Sequence, residues 1–276
     1  MQPLRRHAFA ALRCPICRAD LDLAGRSLRC RRRHAFDLAR SGYVNLAVGQ
    51  PAKAGGDTAD QLQRRRAFLA SGAFDFIADA IVAHAGRQRS QATPLVLDAG
   101  CGTGYHLDRV TRGLAAAGLG IDLAKDAVHM AARDHEALAF AVADVWSAWP
   151  VATAAADLLI SVFAPKNFAE MARTLRPGGR LAMAYAGPDH LIELREMFGL
   201  IDPQPDKHAS YRRRMQGLGG ILHDRLCRSV PMSHAQALDL ILMGPNARHV
   251  SAASIPAWSG TRRVTFDVEL LVATVA

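Results

Sequence analysis

Apolar residues along the chain fall into short continuous runs, several of which stop at an acid. Leu95-Val-Leu-Asp98, Leu119-Gly-Ile-Asp122 and Ala139-Phe-Ala-Val-Ala-Asp144 share this form; Asp157-Leu-Leu-Ile-Ser-Val-Phe-Ala164 and Arg180-Leu-Ala-Met-Ala-Tyr-Ala186 continue the series. Apolar runs of roughly four to eight residues without alternation read as strands buried on both faces. Between them the spacing turns helical, at Leu107, Val110 and Leu114 and again from Asn167 to Leu175, before the turn Arg176-Pro-Gly-Gly179. Strands alternating with helices predict an α/β, doubly wound, Rossmann-like sheet. Val264 to Ala273 alternates in part and is expected to close that sheet as an antiparallel edge strand. Upstream, Asp57 or Thr58 can cap a helix running through Phe68 and Leu69, and a second helix is expected from about Phe74 to Ala85.

The first strand leads into Ala99-Gly100-Cys101-Gly102-Thr103-Gly104-Tyr105 and then a helix, so glycines let the backbone approach a ligand at a helix N-terminus. The spacing is Gly-x-Gly-x-Gly, not the dinucleotide Gly-x-Gly-x-x-Gly, and no Gly-Lys-Ser/Thr follows; a P-loop is excluded and NAD is disfavoured. Asp122 stands 22 residues after Gly100 at a strand end, where a carboxylate suits the two hydroxyls of a ribose. Asp144, at the next strand end, suits an adenine amino group. The loop from Gly100 through Cys101, Gly102, Thr103 and Gly104 to Tyr105, with Asp98, Asp122 and Asp144, is therefore a candidate site for adenosine without pyrophosphate, which points to S-adenosylmethionine. Taken singly, each acid can instead cap the helix that follows it.

Chemistry of a second kind lies near the N-terminus. Three of the five cysteines fall in Cys14-Pro-Ile-Cys17 and, twelve residues on, Cys30, followed after three more by His34. This spacing is that of a tetrahedral zinc site, and four protein ligands leave no open position, so the metal is expected to be structural. A segment of about 45 residues has little core of its own, and Zn²⁺ would supply its folding energy.

Charge sharpens the picture. The net charge is +9, and residues 1–66 hold 14 Lys and Arg against 5 Asp and Glu, while residues 67–276 hold 20 of each. A basic segment beside a neutral domain reads as a dock for a polyanion, most commonly nucleic acid. Arg64, Arg65 and Arg66 cannot share one helix face, so at least one is expected to meet solvent or a phosphate. With 50% apolar and 21% charged residues and no uncharged apolar run of about 18 residues, a soluble globular chain is expected, without membrane spanning or export. Zinc thiolates need reduction, which places it in the cytoplasm. Three units follow: a zinc knuckle over residues 1–48, a linker with helices over 49–90 that includes the Pro/Gly/Ala stretch Gln50 to Gly56, and a methyltransferase domain over 91–276.

The chain resembles the bacterial 23S ribosomal RNA guanine-N1 methyltransferases, especially the actinobacterial branch that confers resistance to tylosin-type macrolides. The resemblance rests on the zinc knuckle running into His34-x-Phe-Asp-x-Ala-x-x-Gly-Tyr-Val-Asn-Leu46, on Ala67-Phe-Leu-x-Ser-Gly72, Val142-Ala-Asp-Val-Trp146, Val162-Phe-Ala-Pro-Lys-Asn167 and Asp189-His190-Leu191. It implies a class I methyltransferase sheet with a small zinc domain that recognises RNA, S-adenosylmethionine as cofactor, a guanine in a hairpin near the peptide exit tunnel as target, and a homodimer. By matching position Gly100, Gly102, Gly104 and Asp122 would hold the cofactor, with His190 in contact, and Phe74 stands where other members carry Tyr. His106 and the segment Met243-Gly-Pro-Asn-Ala-Arg248, which lacks a Trp, depart from the family pattern.

Attack at guanine N1 needs that base unpaired and its proton removed. The loop Val162 to Asn167 is the candidate pocket, with Phe163 to stack on the base and Lys166 or Asn167 to bind its O6; no general base is identifiable. Val145, Trp146 and Trp149 read as packing residues, and Tyr211 to Arg214 as a solvated helix face or an extension of the RNA path. The competing readings are a natural-product methyltransferase with a small substrate, which has no use for a basic knuckle, and a zinc RNA-binding protein without catalysis, which has no use for an intact glycine loop. A dehydrogenase comes third.

Overall fold

The computed structural model describes residues 2–48, 57–86 and 93–275; the expected linker Gln50 to Gly56 lies outside them. In chain order the elements are α1 (Pro3–Ala10), β1 (Asp22–Ala24), β2 (Ser27–Arg29), β3 (Ala35–Asp37), β4 (Val44–Asn45), α2 (Ala59–Ala70), α3 (Asp75–Ala85), β5 (Leu95–Ala99), α4 (Tyr105–Leu114), β6 (Ala117–Asp122), α5 (Lys125–Asp134), β7 (Ala139–Val142), β8 (Ala156–Val162), α6 (Phe168–Thr174), β9 (Leu175–Ala186), α7 (Ile192–Phe198), α8 (Lys207–Arg214), β10 (Gly219–Ser233), α9 (His234–Leu242) and β11 (Thr261–Thr274).

One sheet runs in the order β10-β11-β9-β8-β5-β6-β7-β4. From β5 the chain winds outward through β6 to β7 and then returns to β8 on the other side of β5, all in parallel register. The strand order therefore reverses between β5 and β8, where open α/β sheets bind their ligands. Every residue of β5 is buried, which is why its sequence shows no alternation. This is the doubly wound α/β sheet expected from the acid-ended runs.

The far edge differs from expectation. β11 is antiparallel to β9 but is not the outer strand, because β10 pairs with it from Ser233↔Thr261 to Gly219↔Thr274. β10 is mostly exposed and carries His223, Asp224, Arg225 and Arg228, so no apolar signature marks it. Charges and Pro231 on an outer strand discourage pairing with another chain.

At the opposite edge β4 extends the sheet through Val44↔Ala141 and Asn45↔Val142. β1 to β3 form a separate three-stranded antiparallel sheet. One face of the large sheet packs Phe140 and Phe266 against Phe68, Ile77 and Ile81 of α2 and α3. On the other face Phe9, Leu12 and Leu28 join Leu97, Leu119 and Trp149 in a single apolar cluster. Backbone bonds from Arg13 N to Pro150 O (2.9 Å) and from Ala152 N to Ala11 O (2.9 Å) seal this contact. The small sheet is thus a layer over the large one. No single helix among the described residues is long and apolar enough to cross a membrane.

Candidate active site and metal centre

Two tight turns build the metal centre. Arg18 N donates to Cys14 O (2.8 Å) and Arg33 N to Cys30 O (2.9 Å), each turn passing through the left-handed region, with Arg18 at φ 62° and Arg33 at φ 66°. Cys14 Sγ and Cys30 Sγ each lie 3.4 Å from His34 Nδ1, and Cys17 Sγ lies 3.7 Å from Cys30 Sγ. A tetrahedron with Zn–S of about 2.3 Å and Zn–N of about 2.0 Å has S···N edges of about 3.5 Å and S···S edges of about 3.8 Å. The four donors therefore fit Zn²⁺ bound through three thiolates and His34 Nδ1, with no position left for substrate. Around them Arg29, Arg31, Arg32, Arg33 and Arg40 are exposed, and none forms an ion pair with a described carboxylate.

Across the ends of β5 and β6 the glycine loop is left-handed three times, at Gly100 (φ 82°), Gly102 (φ 52°) and Gly104 (φ 78°). A Cβ at Gly100 would lie 2.5 Å from Ala164 Cβ, and one at Gly104 2.9 Å from Phe140 Cζ; at Gly102 nothing is nearer than Arg65 Nη1, 3.7 Å away. Two of the glycines thus serve packing, while Gly102 borders open space. Beside it Asp122 Oδ2 accepts from Gly102 N (2.8 Å) and Oδ1 from Ala124 N (2.9 Å). Each oxygen keeps a lone pair, which suits the two hydroxyls of a ribose. Burial, and then Asp122, pushes the Asp98 carboxyl up to about 8, against the pull of Lys166. Cys101 and Thr103 are buried in the loop. Tyr105 donates to Asp75, which also pairs with Arg109 at 3.0 Å, tying α4 to α3. Asp144 Oδ1 accepts from Trp146 N (2.9 Å) and Oδ2 from Ser147 Oγ (2.6 Å), a turn built on its carboxylate.

The pocket candidates divide. Phe163, at φ 50°, is 42% exposed, and its ring lies 5.6 Å from Phe74 and 5.5 Å from His190. Lys166 is neither an exposed reader of a base nor a solvated helix start. It is buried, and Nζ donates to Ser161 O (3.1 Å), Ser161 Oγ (3.0 Å) and Ala164 O (2.7 Å), all three protons spent under the loop. Asn167 Nδ2 donates to Trp146 O (3.2 Å) and Ser147 O (3.1 Å), while its Oδ1 caps α6 by accepting from Glu170 N. Trp149 and Val145 pack as expected, whereas Trp146 is 65% exposed. On α2, Arg64 pairs with Asp60 and Asp239, Arg65 with Asp57, and Arg66 with Asp134, while Arg66 stays exposed, so one of the three meets solvent as expected.

His190 donates from Nδ1 to Asp267 O (2.9 Å), which leaves Nε2 as an acceptor. Burial pushes its imidazole down to about 4, against an ordinary 6.5. Between those values an unfolded chain takes up a proton that the folded one refuses. The stability tied to neutral His190 is full above about 6.5 and is lost as the pH falls through about 4. His190→Asn is expected to flatten this acid loss by up to a few kcal/mol. Urea melts at about pH 7 and about pH 4.5 check it; a variant that tracks the parent at both would sink the assignment.

Residues 12–51 match the zinc-ribbon family described as "RlmA, N-terminal", and residues 96–179 match the family described as "Methyltransferase domain". Over 276 residues, 98% of either chain, the sequence is 36% identical to the 23S rRNA (guanine(748)-N(1))-methyltransferase of Streptomyces fradiae. The chain belongs to the 23S rRNA guanine-N1 methyltransferase family. A Micromonospora griseorubida member, provisionally named 23S rRNA (guanine-N(1)-)-methyltransferase, is 38% identical over 268 residues, 89% of this chain and 90% of that one. In a solved Haloferax volcanii complex between the Trm112 methyltransferase activator and a provisionally assigned methyltransferase, one chain shares the fold at a TM-score of 0.52 with 21% identity, covering 80% of this chain and 99% of that chain.

Within this guanine-N1 methyltransferase framework, the chain's departures acquire physical meaning. Phe74 is buried and sits edge-on to Phe68 (5.3 Å) and Phe266 (4.8 Å), a site that suits an apolar ring. Met243 O accepts from Arg65 Nη2 (2.7 Å) and Gly244 O from Gln61 Nε2 (3.2 Å), so the divergent Met243 to Arg248 segment braces α2. Through that brace Arg65 is held over Gly102, a placement the sequence analysis missed. Its one local signal is Asp57, eight residues earlier on the chain; Met243 is remote.

Proposed function

We propose that the chain transfers the methyl group of S-adenosylmethionine to N1 of a guanine in a hairpin of 23S ribosomal RNA near the peptide exit tunnel, that it works as a homodimer, and that the mark confers resistance to tylosin-type macrolides. The observation that supports this reading is the end-to-end likeness to the Streptomyces fradiae enzyme, which runs through the zinc ribbon as well as the catalytic domain. A methyltransferase for small molecules has no need of the ribbon's arginine face.

S-adenosylmethionine, when bound, supplies an electrophilic methyl carbon on its sulfonium. The chain's part is to bind and orient. Asp122 holds the ribose and Gly102 lets the cofactor close on the backbone. Phe163 offers a face to the guanine once it has left its pair. Exposed Trp146, on the Asp144 turn, offers a second face at the rim. His190, with Nδ1 fixed by Asp267 O, holds its neutral ring beside Phe163. Lys166 orients Ala164 and Ser161 from below and does not touch the base.

Base stacking on an aromatic ring is worth about 1–3 kcal/mol. Trp146→Ala is therefore expected to raise KM for RNA by roughly tenfold while leaving cofactor affinity alone; unchanged RNA kinetics would remove Trp146 from the path. The test of the whole reading is transfer of labelled methyl from S-adenosylmethionine to naked large-subunit RNA, followed by reverse-transcription mapping. A single strong stop at a guanine is expected, because N1 methylation blocks pairing. No label in RNA or ribosomal subunits, with cofactor binding intact, would favour a small-molecule substrate instead.

A further inference from the structure

Outside both the ribbon and the cofactor cleft, three outer strands and one helix bring a second set of metal-ligating groups together. Tyr185 on β9 pairs directly with Glu269 on β11, and Glu269 pairs with Arg225 on β10, two residues from His223. Residues two apart on a strand share a face, so Tyr185, Glu269 and His223 lie side by side. His208 of α8 lies over them, its ring 4.2 Å from that of His223 and inclined at 51°. One ligand atom from each of His208, His223 and Glu269 lies within 4.8 Å of the other two.

Without an ion the three groups are only partly bridged to one another. Glu269 is buried, flanked along β11 by the buried Val268 and Leu270, and its one described partner is His223. A single proton can serve the Glu269–His223 contact, and the second imidazole then faces the first with no bond to it. A divalent cation satisfies both nitrogens and the carboxylate together. Tyr185 Oη, 2.9 Å from His208 Nδ1, is the kind of outer partner that fixes the tautomer and orientation of a ligating imidazole.

We propose that His208, His223 and Glu269 form a second metal site, for a divalent ion of the Zn²⁺ class, that clamps α8 onto the outer strands. Two imidazoles and one carboxylate are borderline donors suited to such an ion, and a fourth position is left for water. α8 follows Asp206, which gives it no side-chain cap, and carries Arg212, Arg213 and Arg214, all exposed. The clamp therefore fixes where this basic run sits. The inference is independent of the RNA substrate.

The test uses the full chain prepared with Co²⁺ in place of Zn²⁺. The Cys14, Cys17, Cys30 and His34 centre gives a thiolate-to-cobalt charge-transfer band, whereas a nitrogen and oxygen site gives only weak d–d bands. Mass spectrometry of the metal content is expected to find two ions per chain, falling to one in His208→Asn and in His223→Asn. The charge-transfer band should stay intact in both variants, which shows that the ribbon is still folded. One ion per chain in the parent protein, or two retained in both variants, overturns the proposal.

Discussion

Replacing Cys30 by serine is expected to abolish methyl transfer to ribosomal RNA and to lower the thermal midpoint of the whole chain by on the order of 10 °C. Zinc binding supplies about 10–16 kcal/mol of apparent free energy in small zinc domains, far more than three strands of three residues could recover by packing alone. In a detachable ribbon that loss would stay local. Here Cys14, Cys30 and Leu28 belong to the same apolar cluster as Leu97 and Leu119 of the large sheet. Loss of the ribbon therefore uncovers one face of that sheet, and each kcal/mol lost moves the midpoint of a domain of about 150–250 residues by roughly 2–4 °C. Cys227→Ser is the control, since that thiol is exposed on the outer strand and takes no part in the centre. Calorimetry with and without chelator, beside methyl-transfer assays, checks the expectation. Wild-type transfer and midpoint in Cys30→Ser would mean that the ribbon stands without metal.

That coupling is one of the features the sequence did not disclose, and the reason is general to this fold. The zinc ligands, the glycine loop and the acids Asp98, Asp122 and Asp144 at or near strand ends were legible because each is written in local spacing. β10 was not, because an outer strand with most residues exposed has neither an apolar run nor a clean alternation. The ion-pair partners of the α2 arginines were not legible for a related reason: Asp239 and Asp134, which pair with Arg64 and Arg66, lie far along the chain. Lys166 looked like a reader of the base by its place after a strand. Its ammonium folds inward because Ser161 and two carbonyls offer it three acceptors at once. Trp146 and Trp149, three residues apart, look alike in sequence, yet one indole is buried and bonded to Val145 O (2.9 Å) while the other meets solvent. Elements set by a residue's neighbours in sequence were visible, and those set by its neighbours in space were not.

The glycine loop allows the two kinds of constraint to be separated by experiment. Gly100→Ala is expected to unsettle the fold: its Cβ would lie 2.5 Å from Ala164 Cβ at a φ of 82°, and strain with overpacking costs about 2–5 kcal/mol. Ala164 begins the turn that carries Lys166, so the midpoint and the cofactor affinity should fall together. Gly102→Ala should split them. Its Cβ meets only the far end of Arg65, at 3.7 Å, so the free protein bears little beyond a left-handed alanine, about 1 kcal/mol. The same methyl group enters the open space bordered by Arg65, where the proposed cofactor closes on the backbone, and the resulting crowding should weaken S-adenosylmethionine binding by roughly ten- to a hundredfold. Asp122→Asn supplies the matching loss from the ribose side, with the backbone of the loop unchanged in type. Titration calorimetry and thermal melts on the three variants read both quantities. If Gly102→Ala bound S-adenosylmethionine as tightly as the parent, the cofactor would have to lie elsewhere than over Gly102, and the role given to Asp122 would fall with it.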